Sequence, residues 1–412
     1  MRILHFINSP FTVEQIMSGG ESLRSAGGWL ASLLDLQMKR TAHSLACCAF
    51  DSKDSTESTS DGRLTCIAMK KGWPPARNKR CISKCKEAIQ SWKPDVVHIH
   101  GTEQPFGLLN QNWSQSVPAV ISLQGLLAPC SEWYRFFGNR SLAEVLKMTR
   151  VIEVLTGRGV MHGYWRTRRG ARRESVIFKQ NGHFIGRTDW DHAFVKAANP
   201  SARYHRVNEP LREAFWQTTW SLEKTNRFRV IFTNAGHPRK GAEVLVEAVR
   251  LLLRDYPGIQ LCLAGSISRR GGYGRSLRQQ LDQLGSAFVE LGPLNSKQMA
   301  AELSRSHVFV HPSFIDNSPN SLAEAQLIGT PVVATYTGGV SSLVKEKETG
   351  LLCPTGDAFM VADRIRTIFE DNDLAVQLSM RSRAVASARH NPDEILRGLL
   401  SIYKEVSGLP AW

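Results

Sequence analysis

The chain reads as an α/β protein of two domains, each built on a parallel sheet covered by helices. Three observations carry this. Strand-like and helix-like stretches alternate in both halves. The strand-like stretches are near-continuous apolar runs, the signature of strands buried on both faces. The length, 412 residues, is too great for one core and suits two.

In the first half, Arg2–Ile7 reads as the opening strand, ending at Asn8-Ser9-Pro10. A glycine-rich loop from Ser18-Gly19-Gly20 to Gly27-Gly28 follows, then a helix from Trp29 to about Lys39. Pro94–Gly101 and Ala119–Gly125 read as further strands whose polar residues fall at the carboxyl edge, where open α/β sheets bind ligands. Apolar periodicity is lost across Thr218–Asn226, which predicts a boundary there. The second half opens with the strand Phe228–Asn234, the turn Ala235–Gly241 and a helix over Ala242–Arg254. Strands at Ile259–Ala264 and Phe288–Leu291, with a helix near Ser276–Leu284, follow. Gly271–Gly274 joins no strand directly to a helix and is expected to be a mobile loop. The predicted organisation is a first domain over 1–217, a second over 227–390, and a terminal segment over 391–412. That segment carries an amphipathic helix, Pro392–Val406, with Ile395, Leu399, Ile402 and Val406 on one stripe.

The stretch His311–Gly339 concentrates the chemistry. Val308-Phe309-Val310 suits a buried strand; Asn317, Ser318, Pro319, Asn320 and Ser321 then supply capping and first-turn residues, so a helix is expected to begin between Ser318 and Ser321. Its free first-turn amides and positive dipole end suit a diphosphate. Asp316 precedes that helix and Glu324 lies within it, a spacing that lets one carboxylate face a sugar and the other a ribose with phosphates between. Gly329-Thr330-Pro331 ends the helix, Val332–Thr335 is the next buried strand, and Gly338-Gly339 permits close backbone approach. Spacing alone equally admits an ordinary strand–helix–strand crossover with a solvated Asp and a helical Glu.

Charge is uneven. Residues 1–225 hold 31 Lys and Arg against 19 Asp and Glu, leaving 21 against 18 for the rest. The excess peaks at Arg158–Arg173, where six arginines are interleaved with aromatic and aliphatic residues. Such a stretch suits an anionic bilayer surface or an anionic acceptor, with a solvated basic helix face as the plain alternative. No helix-turn-helix, zinc-finger or RNA-binding pattern accompanies it, so nucleic acid is not the expected partner. The eight cysteines show no CxxC pairing, which signals neither a zinc site nor a disulfide framework. No run approaches the ~18 apolar residues of a membrane span, and Met1–Ile7 is too short for a signal peptide, so a cytoplasmic protein is expected. His98 and His100 share one face of a strand at metal-like spacing. With no third ligand in view, packed or substrate-facing histidines are the expectation over zinc. Asp189-Trp190-Asp191 and Asp371-Asn372-Asp373 spell DxD, the latter where a helix over Val361–Glu370 runs out into solvent. Arg187 suits either phosphate or a pair with Asp189 or Asp191.

In order, these residues resemble the family 4 glycosyltransferases, glycosyl transferases group 1, of GT-B fold. The similarity spans nearly the whole chain and is strongest from Val230 to Asp357, through Asp316, Glu324, Ala325, Gly329–Ala334, Gly338-Gly339 and Gly350–Asp357. In the first half, Gly27-Gly28-Trp29, the His98–Glu103 run, Ser122–Gly125 and Gly186–Asp191 look like bacterial members that build surface polysaccharides. The resemblance implies two Rossmann-like domains facing across a cleft, with the C-terminal helix crossing back to the first, so that truncation after about Asp393 unfolds or uncouples the halves. It implies a retaining, metal-independent transfer of a hexose-type sugar from a UDP- or GDP-sugar to a glycan or lipid-diphosphate-linked acceptor. No cofactor is implied, and the enzyme would sit peripherally on the inner face of the membrane. It assigns Asp316 to the sugar, Glu324 to the ribose and Lys240 to the phosphates. Gly28, Arg187, Arg239, Asn317, Ser318, Asn320 and Ser321 join the donor site, with the backbone at Gly292 and Leu294 reading the base. His98, His100 and Gln124 face the sugar or acceptor. The chain departs from the family at Asp316, where Glu is usual; at Ala235, where many members carry Arg and where Arg239 or Arg187 could supply the charge; at Ser342, often Glu; and at Gln124, often His. Two other readings stay open: a GT-B nucleotide-sugar epimerase, and a non-enzymatic basic protein binding nucleic acid or acidic polymer.

Overall fold

The computed structural model describes residues 1–21, 27–70, 77–109 and 117–408. Part of the expected glycine-rich loop, 22–26, lies outside them. The chain folds into two compact units, 1–127 with 170–212 and 390–412, and 128–169 with 213–389. The segment 128–169, expected in the first domain, therefore packs with the second. It carries its own hydrophobic cluster, Phe136, Phe137, Val145 and Tyr164.

The first unit holds β1 (Arg2–Phe6), β2 (Ser44–Asp51), β3 (Ser55–Ser58), β4 (Leu64–Lys70), β5 (Val96–His100), β6 (Ala119–Ser122), β7 (His183–Gly186) and β8 (Arg203–Arg206). They form one sheet in the order β3-β4-β2-β1-β5-β6-β7-β8. Every pairing is parallel except that of β3, an exposed antiparallel edge strand absent from the sequence reading. Its residues are Ser, Thr, Glu and Ser, with no apolar signal to detect. The strand order reverses between β1 and β5, the crevice where such sheets bind ligands at their carboxyl ends.

One face of this sheet is covered by the helix Gly28–Arg40 and by the C-terminal helix Pro392–Ser407. Ile395, Leu399 and Ile402 of the latter are buried against Ile3, Leu33 and Val120, with Val406 half-buried, as the stripe required. Tyr403 adds what the stripe did not foretell: fully buried, its hydroxyl lies 2.7 Å from His98 Nδ1. Asn391 caps this helix through the amides of Asp393 and Glu394, and Pro392 occupies the first turn, where its missing N–H costs nothing.

The second unit holds β9 (Asn226–Thr233), β10 (Gln260–Ala264), β11 (Phe288–Gly292), β12 (Ser306–His311), β13 (Val332–Thr335) and β14 (Leu351–Cys353). The sheet is wholly parallel, ordered β11-β10-β9-β12-β13-β14, and reverses between β9 and β12. Gly272–Gly274, expected in a loop, instead begin the helix Gly272–Asp282. A Cβ on Gly272 would stand 1.6 Å from the Met148 carbonyl oxygen and one on Gly274 2.0 Å from that of Ser268, so these glycines serve close packing within a regular element. None of the eight cysteines, all among the described residues, is joined in a disulfide. No helix among the described residues is long and apolar enough to cross a membrane.

Replacing Leu399 by Ala removes a side chain that is 2% exposed at the joint between helix and sheet. The expected loss is about 2–5 kcal/mol, read from urea unfolding of the full chain. A loss below about 1 kcal/mol would show that the helix is not integral to this core.

Candidate functional site

The carboxyl ends of β9 and β12 are tied together by main chain. Phe314 N–H donates to Arg239 O at 2.7 Å. Gly241, at φ +70, lets the two loops touch: a Cβ there would lie 2.0 Å from Pro312 O. On the other side, Thr335 Oγ1 donates to Ser313 O at 2.6 Å and Thr337 Oγ1 to Phe314 O at 2.8 Å. Gly339 N–H donates to Asp316 O at 3.0 Å, an approach that Gly338 allows at φ +51, since its Cβ would fall 2.0 Å from that oxygen. Ser313, Phe314 and Asp316 are thus held by the segments that follow β9 and β13 and by the end of β13.

This scaffold joins two groups that the sequence placed 76 residues apart. Lys240 Nζ and Asp316 Oδ2 form an ion pair at 2.5 Å. His311 Nε2 stands 3.3 Å from the same oxygen, and Asn317 N–H donates to Oδ1 at 3.1 Å. Burial alone raises the Asp316 pKa; Lys240 and His311 outweigh it and hold the carboxyl well below its usual range. His311 is lowered by burial against the pull of Asp316, and the neighbouring His237 is pushed down to about 3 by burial and by Arg239 and Lys240. The site therefore presents one carboxylate, one ammonium and neutral imidazoles at pH 7. Asp316 and Lys240, expected to serve sugar and phosphate separately, are each other's partner in this state.

The helix Asn320–Ile328 starts within the predicted window, but not as the side chains suggested. Pro319 takes the N-cap position, and no side chain caps the start. Asn317 is buried, Ser318, Asn320 and Ser321 are half-buried, and Glu324 is half-buried in the second turn. Gly292 closes β11 at φ +68 and its carbonyl accepts from Gly265 N–H at 2.8 Å, with Leu294 just beyond. Ala235, where the resembling family carries Arg, is 2% exposed, and Ser342 lies in the 3-10 turn Val340–Ser342.

The first unit places its candidates around the reversal between β1 and β5. Gly28 opens the helix Gly28–Arg40, and its Cβ would meet Arg212 Nε at 3.0 Å, a cation that no sequence signal marked. The Arg187 guanidinium pairs with Glu209 and donates to Leu123 O at 3.0 Å; only its backbone N–H reaches Asp191, at 3.1 Å, while Asp189 pairs with Arg206. Glu209 also accepts from Gln124 Nε2 at 3.2 Å, so Arg187, Glu209 and Gln124 form one cluster. His98 and His100 are fully buried with His5, the third histidine missed in the sequence, which sits opposite His98 in register. One ring nitrogen of each lies within 4.8 Å of the others, a grouping that could hold a metal ion, and the His98 and His100 rings are tilted with centroids 3.9 Å apart. His98 meets Tyr403 and Ser122, at 2.7 and 2.6 Å, and His5 Nδ1 is 3.1 Å from His100 Nε2. Burial holds all three well below the usual histidine pKa. Asp371 caps the end of the helix Ala358–Glu370 and, like Asp373, is exposed.

Residues 216–385 match the family described as glycosyl transferases group 1. D-inositol 3-phosphate glycosyltransferase of Pseudarthrobacter chlorophenolicus is 31% identical over 166 residues, 40% of this chain and 39% of that protein. The chain thus matches about two fifths of the length of that curated relative. Sucrose-phosphate synthase of Thermosynechococcus elongatus superposes with TM-score 0.76 at 16% identity, covering 99% of each chain. Anabaena Alr3699/HepE, solved in complex with UDP and glucose, does so with TM-score 0.71 at 16% identity, covering 99% of this chain and 100% of that one. The chain shares the fold of these proteins.

Two outcomes follow. Gly338→Ala forces a side chain into left-handed backbone against Asp316 O, and the strain of about 1–2 kcal/mol, plus the clash, should lower the thermal midpoint and disorder the loop. An unchanged midpoint would show that the loop tolerates the displacement. Secondly, His5 and His237, pushed down to about 3, and His43 and His307, pushed down to about 4, are neutral when folded. Their contribution is intact above about pH 6.5 and is lost as pH falls toward 4, because only the unfolded chain takes the protons. His307→Gln should reduce the slope of stability against pH between 6 and 4.5 by up to about 1.4 kcal/mol per pH unit, measured by urea titration. An unaltered slope would mean that His307 is charged in the folded chain.

Proposed function

From residues 216–385, which match the family described as glycosyl transferases group 1, we propose that the chain is a retaining glycosyltransferase. It moves a hexose-type sugar from a nucleotide-diphosphate sugar to a glycan or lipid-linked acceptor in polysaccharide synthesis. The observation that carries this reading is the Lys240–Asp316 pair at the strand-order reversal, four residues from a helix start that no side chain caps. An ammonium and open amides facing the same crevice are what a departing diphosphate needs. UDP is favoured as the donor nucleotide because Alr3699/HepE, of the same fold, holds UDP and glucose.

In this mechanism the donor diphosphate competes with Asp316 for Lys240, and the freed carboxylate turns to the sugar hydroxyls. Glu324 takes the ribose hydroxyls. Asn317, Ser318, Asn320 and Ser321 offer first-turn donors to the phosphates, and Arg239 supplies the charge that Ala235 does not. Gly292 and Leu294 present backbone to the base. Charge growing on the leaving oxygen is stabilised by Lys240 and the helix dipole, and the leaving phosphate takes the acceptor's proton on the same face. No protein nucleophile is needed, and no metal enters. Gly28 lets the backbone approach Arg212, a cation for a phosphate-bearing ligand in the first unit, with His98, His100, Gln124 and Arg187 on the acceptor side. The enzyme works in the cytoplasm, peripherally on the inner face of the membrane.

With UDP-glucose as the first donor tried, Lys240→Ala and Glu324→Ala should each lower transfer by about 10²–10³-fold, followed by product release and anomeric proton couplings in NMR. EDTA should leave the rate unchanged. Full transfer by either variant removes that residue from the mechanism, and an inverted anomeric centre overturns retention.

A further inference from the structure

The segment 142–169 carries an unusual surface. Leu142 and Leu146, on the helix Leu142–Met148, are each 55% exposed; Val151, Ile152, Val154 and Leu155, on the helix Val151–Leu155, are 75, 51, 68 and 78% exposed; Trp165 is 50% exposed. Seven of the chain's large exposed apolar side chains therefore lie within one short stretch. A soluble surface scatters such residues singly, and a contiguous group marks a contact.

The apolar ridge is not a frayed loop. Glu153, buried beneath it, accepts from Gly272 N–H at 2.8 Å and from Arg150 N–H at 3.0 Å, and Gly272 comes close enough to Met148 O to exclude any Cβ. The ridge is thus clamped to the second unit with its aliphatic side chains turned outward. Its charges are one-sided. Lys147, Arg150, Arg158, Arg166, Arg168 and Arg169 face two acids, Glu144 and Glu153. Glu153 is buried in the clamp, and Glu144 is spent on the amide of Ser141 at 2.7 Å. Arg158, Arg166, Arg168 and Arg169 are exposed, and Arg168 lies over the Trp165 ring at 5.4 Å. Arg150, half-buried, donates instead to the Arg270 carbonyl at 2.8 Å, and Arg173, further along the helix Val160–Gln180, turns inward to the Glu103 carbonyl.

We propose that Leu142–Arg169 is a docking surface for an anionic bilayer, with Val151–Leu155 inserting at the headgroup boundary and the arginines on either side engaging lipid phosphates. Aliphatic side chains beside cations, with an aromatic at the border, complement that interface in both chemistry and charge. The basic stretch alone had suggested electrostatic attraction; the ridge adds the part that enters the membrane. The inference deepens the glycosyltransferase reading, since it says where a membrane-held acceptor is met, but vesicle binding needs no donor and fails or succeeds independently of transfer.

The test is flotation of the full chain with vesicles of phosphatidylcholine alone or with about 30% phosphatidylglycerol, in low and high salt, beside a separate UDP-glucose binding measurement. Wild type should bind the anionic vesicles at least ten-fold more strongly than the neutral ones. Ile152→Ser with Leu155→Ser, and separately Arg166→Gln with Arg168→Gln, should each weaken that binding at least ten-fold while leaving the thermal midpoint and UDP-glucose binding unchanged. Trp165→Phe should remove part of the vesicle-induced blue shift. Three results overturn the proposal: no binding to anionic vesicles, binding indifferent to the ridge variant, or a ridge that pairs two copies of the chain, seen as a doubled mass by light scattering that the serine variant restores to one.

Discussion

The candidate site depends on main chain meeting main chain at the point where the second sheet reverses its strand order. Ligand-binding loops are intrinsically mobile, yet here Phe314 N–H to Arg239 O joins the loops after β9 and β12, and Gly339 N–H to Asp316 O adds the loop after β13. Gly241 and Gly338 are the positions at which any other residue would push those loops apart. With the loops fixed, a lysine and an aspartate from separate crossovers meet at ion-pair distance. A pair so formed is an economical resting state for an anion site: Asp316 keeps the Lys240 side chain aimed until a more highly charged phosphate displaces it. Removing one partner would leave the other charge partly buried and uncompensated, so the pair also restrains the empty loop.

The first unit manages polarity in the opposite manner. Three histidines in its core stay neutral because burial opposes protonation. His98 is held between Tyr403 and Ser122, so the C-terminal helix and β6 fix the ring that the β5 pattern places. The second polar knot, Arg187 with Glu209 and Gln124, is charged and internally balanced. A guanidinium already matched by a buried carboxylate orients neighbours better than it captures a phosphate, which makes Arg239, on the Lys240 loop, the stronger substitute for the charge absent at Ala235.

Much of the fold was legible because buried parallel strands are apolar runs and because the C-terminal helix repeats its apolar residues at helical spacing. Val332–Thr335 appears as read, and Ile395, Leu399 and Ile402 are buried as their stripe requires. The stretch around Asp316 and Glu324 was legible as a motif, since the order strand, polar loop, helix and Gly-Gly is local. What escaped notice is set by contacts between distant residues. Nothing within the sequence links His5 to His98, Arg187 to Glu209, or residues 128–169 to the second unit. Gly272 and Gly274 misled because a glycine run that joins no strand directly to a helix reads as a loop, whereas close approach of the Met148 and Ser268 carbonyls demanded the smallest residue inside a helix.

The same packing explains why the basic stretch was only half understood as a charge pattern. Composition shows six arginines among aromatics, and a solvated helix face would account for them equally well. What separates the two readings is the fate of the neighbouring residues: Glu153 goes inward to clamp Gly272, and that inward turn on a five-residue helix obliges Val151, Ile152, Val154 and Leu155 to face out. A chain under no pressure to keep an apolar surface could place polar residues at all four positions without disturbing the clamp. Their exposure beside the exposed guanidinium groups of Arg158, Arg166, Arg168 and Arg169 suits a contact that takes up both, and a phosphate-bearing lipid interface offers both at once.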